Sequence, residues 1–539
     1  MNARPPARRV AVIGGGPSGL VATKTCLEEG LDVVCFEKSN VIGGLWYYRE
    51  DRTEQSCVFR STVINTSKET MCFSDFPIPE DWPNFLHNKK VLQYFEMYAD
   101  HFGLRKHIKL QTKVNSVKPA PDFDTTGRWT VSLTSMGSNK TWEETFDAVF
   151  VCSGHHCQPN IPHFEGLKNF KGTVMHTHDY LTPEKYRDKR VVIVGIGNSG
   201  GDAAVELGRM ASSLFLSTRS GAWIRYRISD KSVPFDLGNR IERLMPMSLQ
   251  ESILLNENKK RVDHDLIGLK PDFGILAAHP TVNDDLPGCI MNGLVTVKPN
   301  IRRFTTTGVV FEDGTAEDNI DLVVLATGYK ISFPFLSSSV LPINDNRVEM
   351  YRYVFSPHHK HPTLAVLGMV QPLGPIFPSS ELQARWATRV FKGEKQLPTK
   401  AQMMEHIRRT QEAMDRRYKK SPRHTIQIDV MPYLDEIASE IGVKPNLLVL
   451  LLTDPALAYH YIFGPYVPAQ YRLYGRHRWA GAREHMMTVW QRVHKPYKAR
   501  QGGASMKELE VASGPKFGLL QLFIILGILA VIYFRFFQK

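Results

Sequence analysis

The residues of this 539-residue chain best placed to do chemistry are two sets of glycines at GxGxxG spacing. They are Gly14, Gly16 and Gly19, and then Gly195, Gly197 and Gly200. In such a set the first glycine allows a tight turn and the second lets backbone N–H groups approach a pyrophosphate. The third lets a helix pack closely on the preceding strand. Gly15, Pro17 and Ser18 complete the first loop, with Pro17 near the first helical turn, where its missing N–H costs nothing. Glu37 ends the next apolar run, placed to accept from a ribose hydroxyl. A carboxylate there favours a 2′-hydroxyl over a 2′-phosphate, because two negative charges repel. The second site carries Thr218-Arg219 instead, with Arg225 and Arg227 close behind, so a cation meets the ribose and a 2′-phosphate is favoured. Asn198 and Ser199 put side-chain hydrogen-bonding groups inside that second loop. A further polar group, Asn65-Thr66-Ser67-Lys68-Glu69, sits between apolar flanks and reads equally as helix caps or as site residues.

The elements that must position these residues follow from apolar runs. Val10–Ile13 is a short buried strand, Leu20–Leu27 continues at helical period, and Val33–Phe36 is a second strand. Strand, glycine loop, helix, strand and terminal acid together predict a dinucleotide-binding unit. Val191–Val194, the second glycine loop and Asp202–Leu207 repeat it. The stretch Asp147–Gly154, an acid, a buried strand and a small-residue end, recurs as Asp321–Gly328. The chain therefore contains a duplicated layout and binds two dinucleotides. Crossings between the two lobes are expected near Gly154–Phe164 and Gly328–Phe335. The loop Gly43-Gly44-Leu45-Trp46 fits against a flat cofactor, or is a surface turn with a packed tryptophan. Phe76–Phe85, with Pro77, Pro79 and Pro83, is predicted to be irregular. Helices are expected over Val91–His101 and Ser380–Phe391, with two or three more between Lys395 and Pro455. Residues 229–298 show no clean period, and the polar His279–Pro287 loop reads as turns. A buried strand at Pro362–Gly368 leads to Gln371.

Composition sets the outer limits. A chain of this length and 42% hydrophobic content can fill roughly two to four domains. Seven cysteines with no CxxC pair read as reduced thiols and give no metal site. The formal charge of +13 is concentrated late, from Arg472 to Arg500. No nucleic-acid module accompanies it, so nucleic acid is not an expected partner. The run Phe517–Phe534 is almost wholly apolar and close to the lower limit for crossing a bilayer, roughly 17 residues. It predicts a C-terminal membrane anchor, with the basic stretch beside the membrane. The N-terminus has no signal-peptide pattern, which keeps the lobes on the cytosolic side.

On these motifs the chain resembles the eukaryotic flavin-containing monooxygenases over nearly its whole length. The carrying residues are Gly14–Gly19, Gly43–Trp46, Asn65–Glu69, Gly195–Asp202, Ala326–Tyr329 and the apolar tail. The family signature FxGxxxHxxxY stands as Phe170, Gly172, His176 and Tyr180, with Leu181 where the family commonly carries lysine. Within the family, Asn65-Thr66, Ile196 with Gly201, and His279-Pro280 match the branch of the fifth isoform. The resemblance implies an α/β fold of two Rossmann-like dinucleotide-binding domains with a C-terminal helical region and a transmembrane tail. It divides the chain into an FAD domain in two parts (1–160 and 331–445), an NADPH domain (161–330), a basic membrane-proximal region (446–514) and an anchor (515–536). It implies FAD on Gly14–Gly19, Glu37, Leu45-Trp46 and Asn65-Thr66. NADPH is expected on Gly195, Gly197, Asn198, Ser199, Gly200, Thr218 and Arg219, with Gln371 a further cofactor contact. Asn65 is the implied catalytic residue, assisting a C4a-hydroperoxide of the flavin and helping to hold NADP⁺. Small lipophilic amines, sulfides or ketones and O₂ are the expected substrates. The endoplasmic reticulum membrane is the expected location, and a homo-oligomer is compatible with these features. Three other readings compete: a flavin disulfide reductase using Cys152 and Cys157, an NADPH oxidase releasing peroxide, and a tethered NADPH sensor without turnover.

Overall fold

The computed structural model describes residues 7–50, 55–229, 232–421 and 423–500. Two five-stranded parallel sheets organise them. In the first, the strands run in the order Leu364–Val366, Ala148–Val151, Arg9–Ile13, Asp32–Phe36, Ile108–Lys109. In the second the order is Thr296–Lys298, Ser213–Ser217, Arg190–Val194, Leu322–Leu325, Thr173–His176. In both sheets the fingerprint strand has its successor on one side and the returning strand on the other. A crevice therefore opens at the carboxyl end of each fingerprint strand, where such folds bind ligands. Each returning strand follows a three-stranded antiparallel excursion, residues 112–146 in the first half and 301–317 in the second.

The repeated acids have a repeated task. Asp147 Oδ2 accepts from the backbone N–H groups of Arg8 and Arg9 at 3.0 and 2.9 Å. Asp321 Oδ2 accepts from Arg190 N at 2.9 Å. Each acid pins the start of a fingerprint strand beside its returning strand. The central strands are apolar and buried over Val10–Ile13, Ala148–Val151, Val191–Val194 and Leu322–Leu325 because both faces are covered. Val191 and Ile193 enter one core while Val192 and Val194 enter another on the opposite face. The first lobe has a single larger core reaching from Val10 to Tyr471.

The predicted crossings run side by side. Gln158–Pro159 pairs antiparallel with Tyr329–Lys330, and Asn160 N donates to Gly328 O at 2.9 Å. Helices occupy Asn88–His101 and Phe377–Phe391, each beginning three residues before its predicted start. Three more follow at Lys400–Arg417, Val430–Glu440 and Leu447–Thr453. Residues 229–298 are more ordered than their sequence pattern suggests, with helices at Arg240–Leu244, Met247–Lys259 and Leu286–Met291.

Several arginines of the basic C-terminal stretch are ion-paired within the protein. Arg472, wholly buried, meets Glu381 at 2.7 Å and Asp75 at 2.9 Å. Arg476 pairs with Glu29 and Glu394, Arg483 with Asp454, and Arg492 with Glu69. Part of that charge is thus neutralised by acids of the protein itself. The predicted anchor, 515–536, lies outside the described residues. Among those described, no helix is long and apolar enough to cross a membrane.

Candidate functional site between two glycine loops

The two loops are superposable in their constraints. Gly14 and Gly195 have φ of 105° and 104°, which side chains on L-residues rarely adopt. A Cβ on Gly14 would stand 2.7 Å from Cys152 O, and one on Gly195 would stand 2.6 Å from Ala326 O. A Cβ on Gly19 would lie 1.8 Å from Gly14 O, and one on Gly200 would lie 2.1 Å from Gly195 O. The helices Pro17–Glu28 and Asn198–Gly208 can start only where the third residue is glycine, and their free N–H groups face the crevices.

Glu37 is buried at the first loop. Its Oε2 accepts from Gly15 N at 2.6 Å and its Oε1 from Ser39 N at 2.8 Å. Each oxygen keeps a lone pair, so the carboxylate can hold the loop and still accept from a ribose. Gly43 N donates to Gly15 O at 3.0 Å, and this lays the Gly44–Trp46 turn over the loop. Leu45 is exposed there, whereas Trp46 packs edge-on to Phe377. Ser18 Oγ lies 2.9 Å from Ser380 Oγ, which ties Pro17–Glu28 to Phe377–Phe391. Gln371 N donates to Ile426 O in a short two-stranded pairing with Gln427–Ile428.

At the second loop Thr218 is buried, with its N–H on Lys298 O, while Arg219 is exposed. Asn198 is turned away from the crevice: its Oδ1 accepts from Val282 N at 2.8 Å. Ser199 is exposed. The His279–Pro287 stretch, read from sequence as turns, is the buttress of this loop. Thr281 Oγ1 donates to Ile196 O, and Asn283 Nδ2 donates to Asp202 at 2.9 Å. Arg225 and Arg227, expected to favour a 2′-phosphate, are used elsewhere. Arg225 faces Glu257 at 3.7 Å. Arg227 pairs with Asp284 at 2.8 Å and donates to the carbonyls of Val63 and Ile64 at 3.1 and 3.3 Å.

Those carbonyls immediately precede Asn65, so the NADPH-side lobe reaches the polar group from in front. It also reaches it from behind. Asp236 Oδ2 accepts from Ser67 N at 2.7 Å and from Thr70 Oγ1 at 2.6 Å. Ser67 stands at the N-cap position of the short helix Lys68–Met71, although its side chain makes no capping hydrogen bond. Lys68 is buried, and desolvation lowers its pKa to about 8. Its Nζ donates to the carbonyls of Glu80 and Trp82. Glu69 meets Arg492 at 3.0 Å, and burial raises its pKa. Asn65 itself is half-buried, and its side chain makes no hydrogen bond among the described residues. Thr66 Oγ1 is buried and unpartnered. Ser67 and the carbonyls before Asn65 are thus engaged by the NADPH-side lobe, while the Asn65 amide and the Thr66 hydroxyl are not.

The FxGxxxHxxxY residues build the frame of the second lobe. Phe170 packs on Phe304, and a Cβ on Gly172 would meet Ile320 O at 2.6 Å. His176 Nδ1 accepts from His178 N at 3.0 Å. Tyr180 donates to Glu206 at 2.8 Å. All seven cysteines are free, and Cys152 is buried behind Gly14 with its thiol pKa pushed well up by desolvation. That environment is wrong for a reactive thiolate. No group of acids, histidines and cysteines that could hold a metal occurs among the described residues.

Two glycine crevices, an acid at one ribose position, an exposed arginine at the other and a free amide held between them fit two dinucleotides. The flavin-binding monooxygenase-like family model matches residues 7–534. Flavin-containing monooxygenase 5 of Oryctolagus cuniculus is 48% identical over 98% of this chain and 99% of its own. Dimethylaniline monooxygenase (N-oxide-forming) 2 of Rattus norvegicus is 44% identical over 98% of this chain and 99% of its own. Among solved structures, S-allyl-L-cysteine S-oxygenase from Allium sativum has a TM-score of 0.62 at 26% identity, covering 91% of this chain and 99% of that one. Cyclohexanone monooxygenase from Rhodococcus sp. Phi1 bound to NADP⁺ has a TM-score of 0.59 at 18% identity, covering 82% and 98%, and so shares the fold. The chain belongs to the flavin-binding monooxygenase-like family and is a flavin monooxygenase.

Proposed function

We propose that this enzyme uses FAD and NADPH to insert one atom of O₂ into a small lipophilic amine, sulfide or ketone, the other atom leaving as water. The observation that carries the reading is the Asn65 segment, held from the NADPH-side lobe by Arg227 and Asp236 while it stands against the FAD-side core. The bound flavin supplies the oxygen chemistry after reduction by NADPH. The chain's own residues do the rest. Gly14–Gly19 and Glu37 hold the adenine-nucleotide half of FAD, Leu45-Trp46 lie along it, and Gln371 closes the cofactor side. Gly195–Gly200, Thr218 and Arg219 hold NADPH. Asn65 offers a preorganised amide at the reacting face, with Thr66 beside it. Losing one contact of this kind costs on the order of 10² in rate. Ile64, Met71, Ile78, Leu86 and Phe377 line the space behind Thr66 and keep water from it.

Residues 1–160 with 331–445 form the FAD domain and 161–330 the NADPH domain. The tail holds the enzyme in the endoplasmic reticulum membrane with both domains in the cytosol. The exposed Leu448 and Leu452, at 71% and 86% of full exposure, support a membrane-proximal position for 446–514. Amine and sulfide oxygenation are supported by relatives whose names give N-oxide formation and S-oxygenation. The ketone option rests on the resemblance to the fifth-isoform branch.

The test is a substrate panel with NADPH consumption, product and hydrogen peroxide measured together. Product formed in step with NADPH for an amine, a sulfide or a ketone supports the reading. Peroxide equal to NADPH consumed with every substrate would favour an oxidase instead.

A further inference from the structure

The crevice at the second glycine loop contains a cation that comes from the opposite lobe. Arg423 lies on the segment between Lys400–Arg417 and the strand Gln427–Ile428, which pairs with Gln371–Pro372 of the FAD-side lobe. Its guanidinium nevertheless stands over the NADPH-side loop. A Cβ on Gly197 would be 2.8 Å from Arg423 Nη2, and one on Gly328 would be 3.7 Å from Nε. The segment is docked on the other lobe: Lys419 N donates to Ala277 O at 2.9 Å, and Lys419 Nζ reaches Asp272 at 3.1 Å.

The electrostatic setting is one-sided. Among the described residues Arg423 has no ion-pair partner. The charged neighbour that acts on it is Arg219, and desolvation with that repulsion lowers its pKa. Burial, with a smaller contribution from the Arg423 charge, lowers the pKa of His156, His279 and His424 and keeps these rings neutral at pH 7. Arg219 and Arg423 thus stand together at the second glycine loop, and among the described residues no carboxylate pairs with either. Both side chains are exposed, so their guanidinium groups are open to an anion bound at the loop.

We propose that Arg423 is a nucleotide-binding residue that clamps the pyrophosphate of NADP(H) from the FAD-side lobe, leaving the 2′-phosphate to Arg219. Its position at Gly197, the fingerprint glycine over which a pyrophosphate passes, selects the pyrophosphate. Arg219, at the end of Ser213–Ser217, stands where the adenosine ribose falls. A guanidinium donates in a fork that suits two phosphate oxygens, and a pyrophosphate held there ties the Arg423 segment to the second glycine loop.

This inference rests on the NADPH reading of the second loop, and its test separates the two. The FAD-loaded full-length protein is titrated with NADP⁺ and with NAD⁺ by calorimetry, for the wild type, R423Q, R423K and R219Q. Flavin content is measured in each as a check on folding. R423Q is expected to weaken both nucleotides by the same factor, about 10- to 100-fold, the range for a lost hydrogen bond to a charged group. R423K is expected to recover part of the loss, and R219Q to weaken NADP⁺ alone. Unchanged affinities in R423Q, with wild-type binding intact, would overturn the clamp. Weakening of NADP⁺ alone in R423Q would overturn the pyrophosphate assignment. A wild type that binds neither nucleotide would instead remove the NADPH reading beneath it.

Discussion

Asp236 offers a prediction whose size can be worked from the coordinates. Both of its hydrogen bonds, from Ser67 N at 2.7 Å and Thr70 Oγ1 at 2.6 Å, end on the same oxygen, Oδ2. The other oxygen, Oδ1, is buried without a partner. Burial raises the Asp236 pKa, and these two donors oppose it. In D236A the Ser67 N–H is stranded, at a cost of about 1–3 kcal/mol. The Thr70 hydroxyl has a fallback, because Ser67 O lies 3.1 Å away. D236N behaves differently: its amide oxygen can take the place of Oδ2 and accept both bonds, and no charge is buried. D236A should therefore lose about 1–3 kcal/mol, keep its flavin, and release more peroxide per NADPH because the Asn65 segment loosens. D236N should stay near the wild type in both respects. Thermal unfolding and a peroxide-to-NADPH ratio measure the two effects. A D236A protein as stable and as coupled as the wild type would refute the reasoning. So would a D236N protein as damaged as D236A, since the charge and not the acceptor would then be what matters.

Other consequences are equally specific. G200A places a Cβ 2.1 Å from the backbone oxygen of Gly195, so flavin should remain bound while reduction by NADPH is lost; normal anaerobic reduction would contradict this. E37A removes acceptors from Gly15 N and Ser39 N and should lower FAD affinity by roughly 10-fold or more, read by flavin retention on dilution. Burial raises the Glu206 pKa from 4.5 to about 7, so the folded state holds a proton that the unfolded state releases. That contribution is fully present below pH 4.5 and lost as pH rises through about 7. E206Q should flatten the fall in thermal stability across that window, and an unchanged slope would show that Glu206 does not titrate there.

What the sequence disclosed, and what it did not, divides by range of interaction. The glycine loops were legible because their constraints are local: a positive φ at Gly14 and a closed space at Gly19 leave one residue type. The acids at Asp147 and Asp321 were visible as a repeat, although their bonds to the fingerprint strands were not. Arg227, Asp236 and Arg423 were missed or misassigned because each acts across 160 residues or more of chain, on Ile64, Ser67 and Gly197 respectively. A period or a motif carries no trace of such a contact. For Asp236 the only sign was a charged residue in an apolar setting, Val233-Pro234-Phe235-Asp236-Leu237. The basic C-terminal stretch was only partly legible for the converse reason. Its arginines look like a surface patch in sequence, but Glu29, Glu69, Asp75 and Glu381, which neutralise them, come from far earlier in the chain.

In the proposed function, the Asn65 amide, held between the lobes, is what keeps oxygen transfer coupled to NADPH oxidation. The most direct measurement reduces wild-type and N65D protein anaerobically with NADPH, mixes each with oxygenated buffer, and follows the flavin spectrum. The account predicts a long-lived oxygenated flavin in the wild type. In N65D it predicts flavin still bound but reoxidised on the order of 10² faster, with peroxide released in equal amount. The same lifetime in both proteins, with undiminished product, would contradict it.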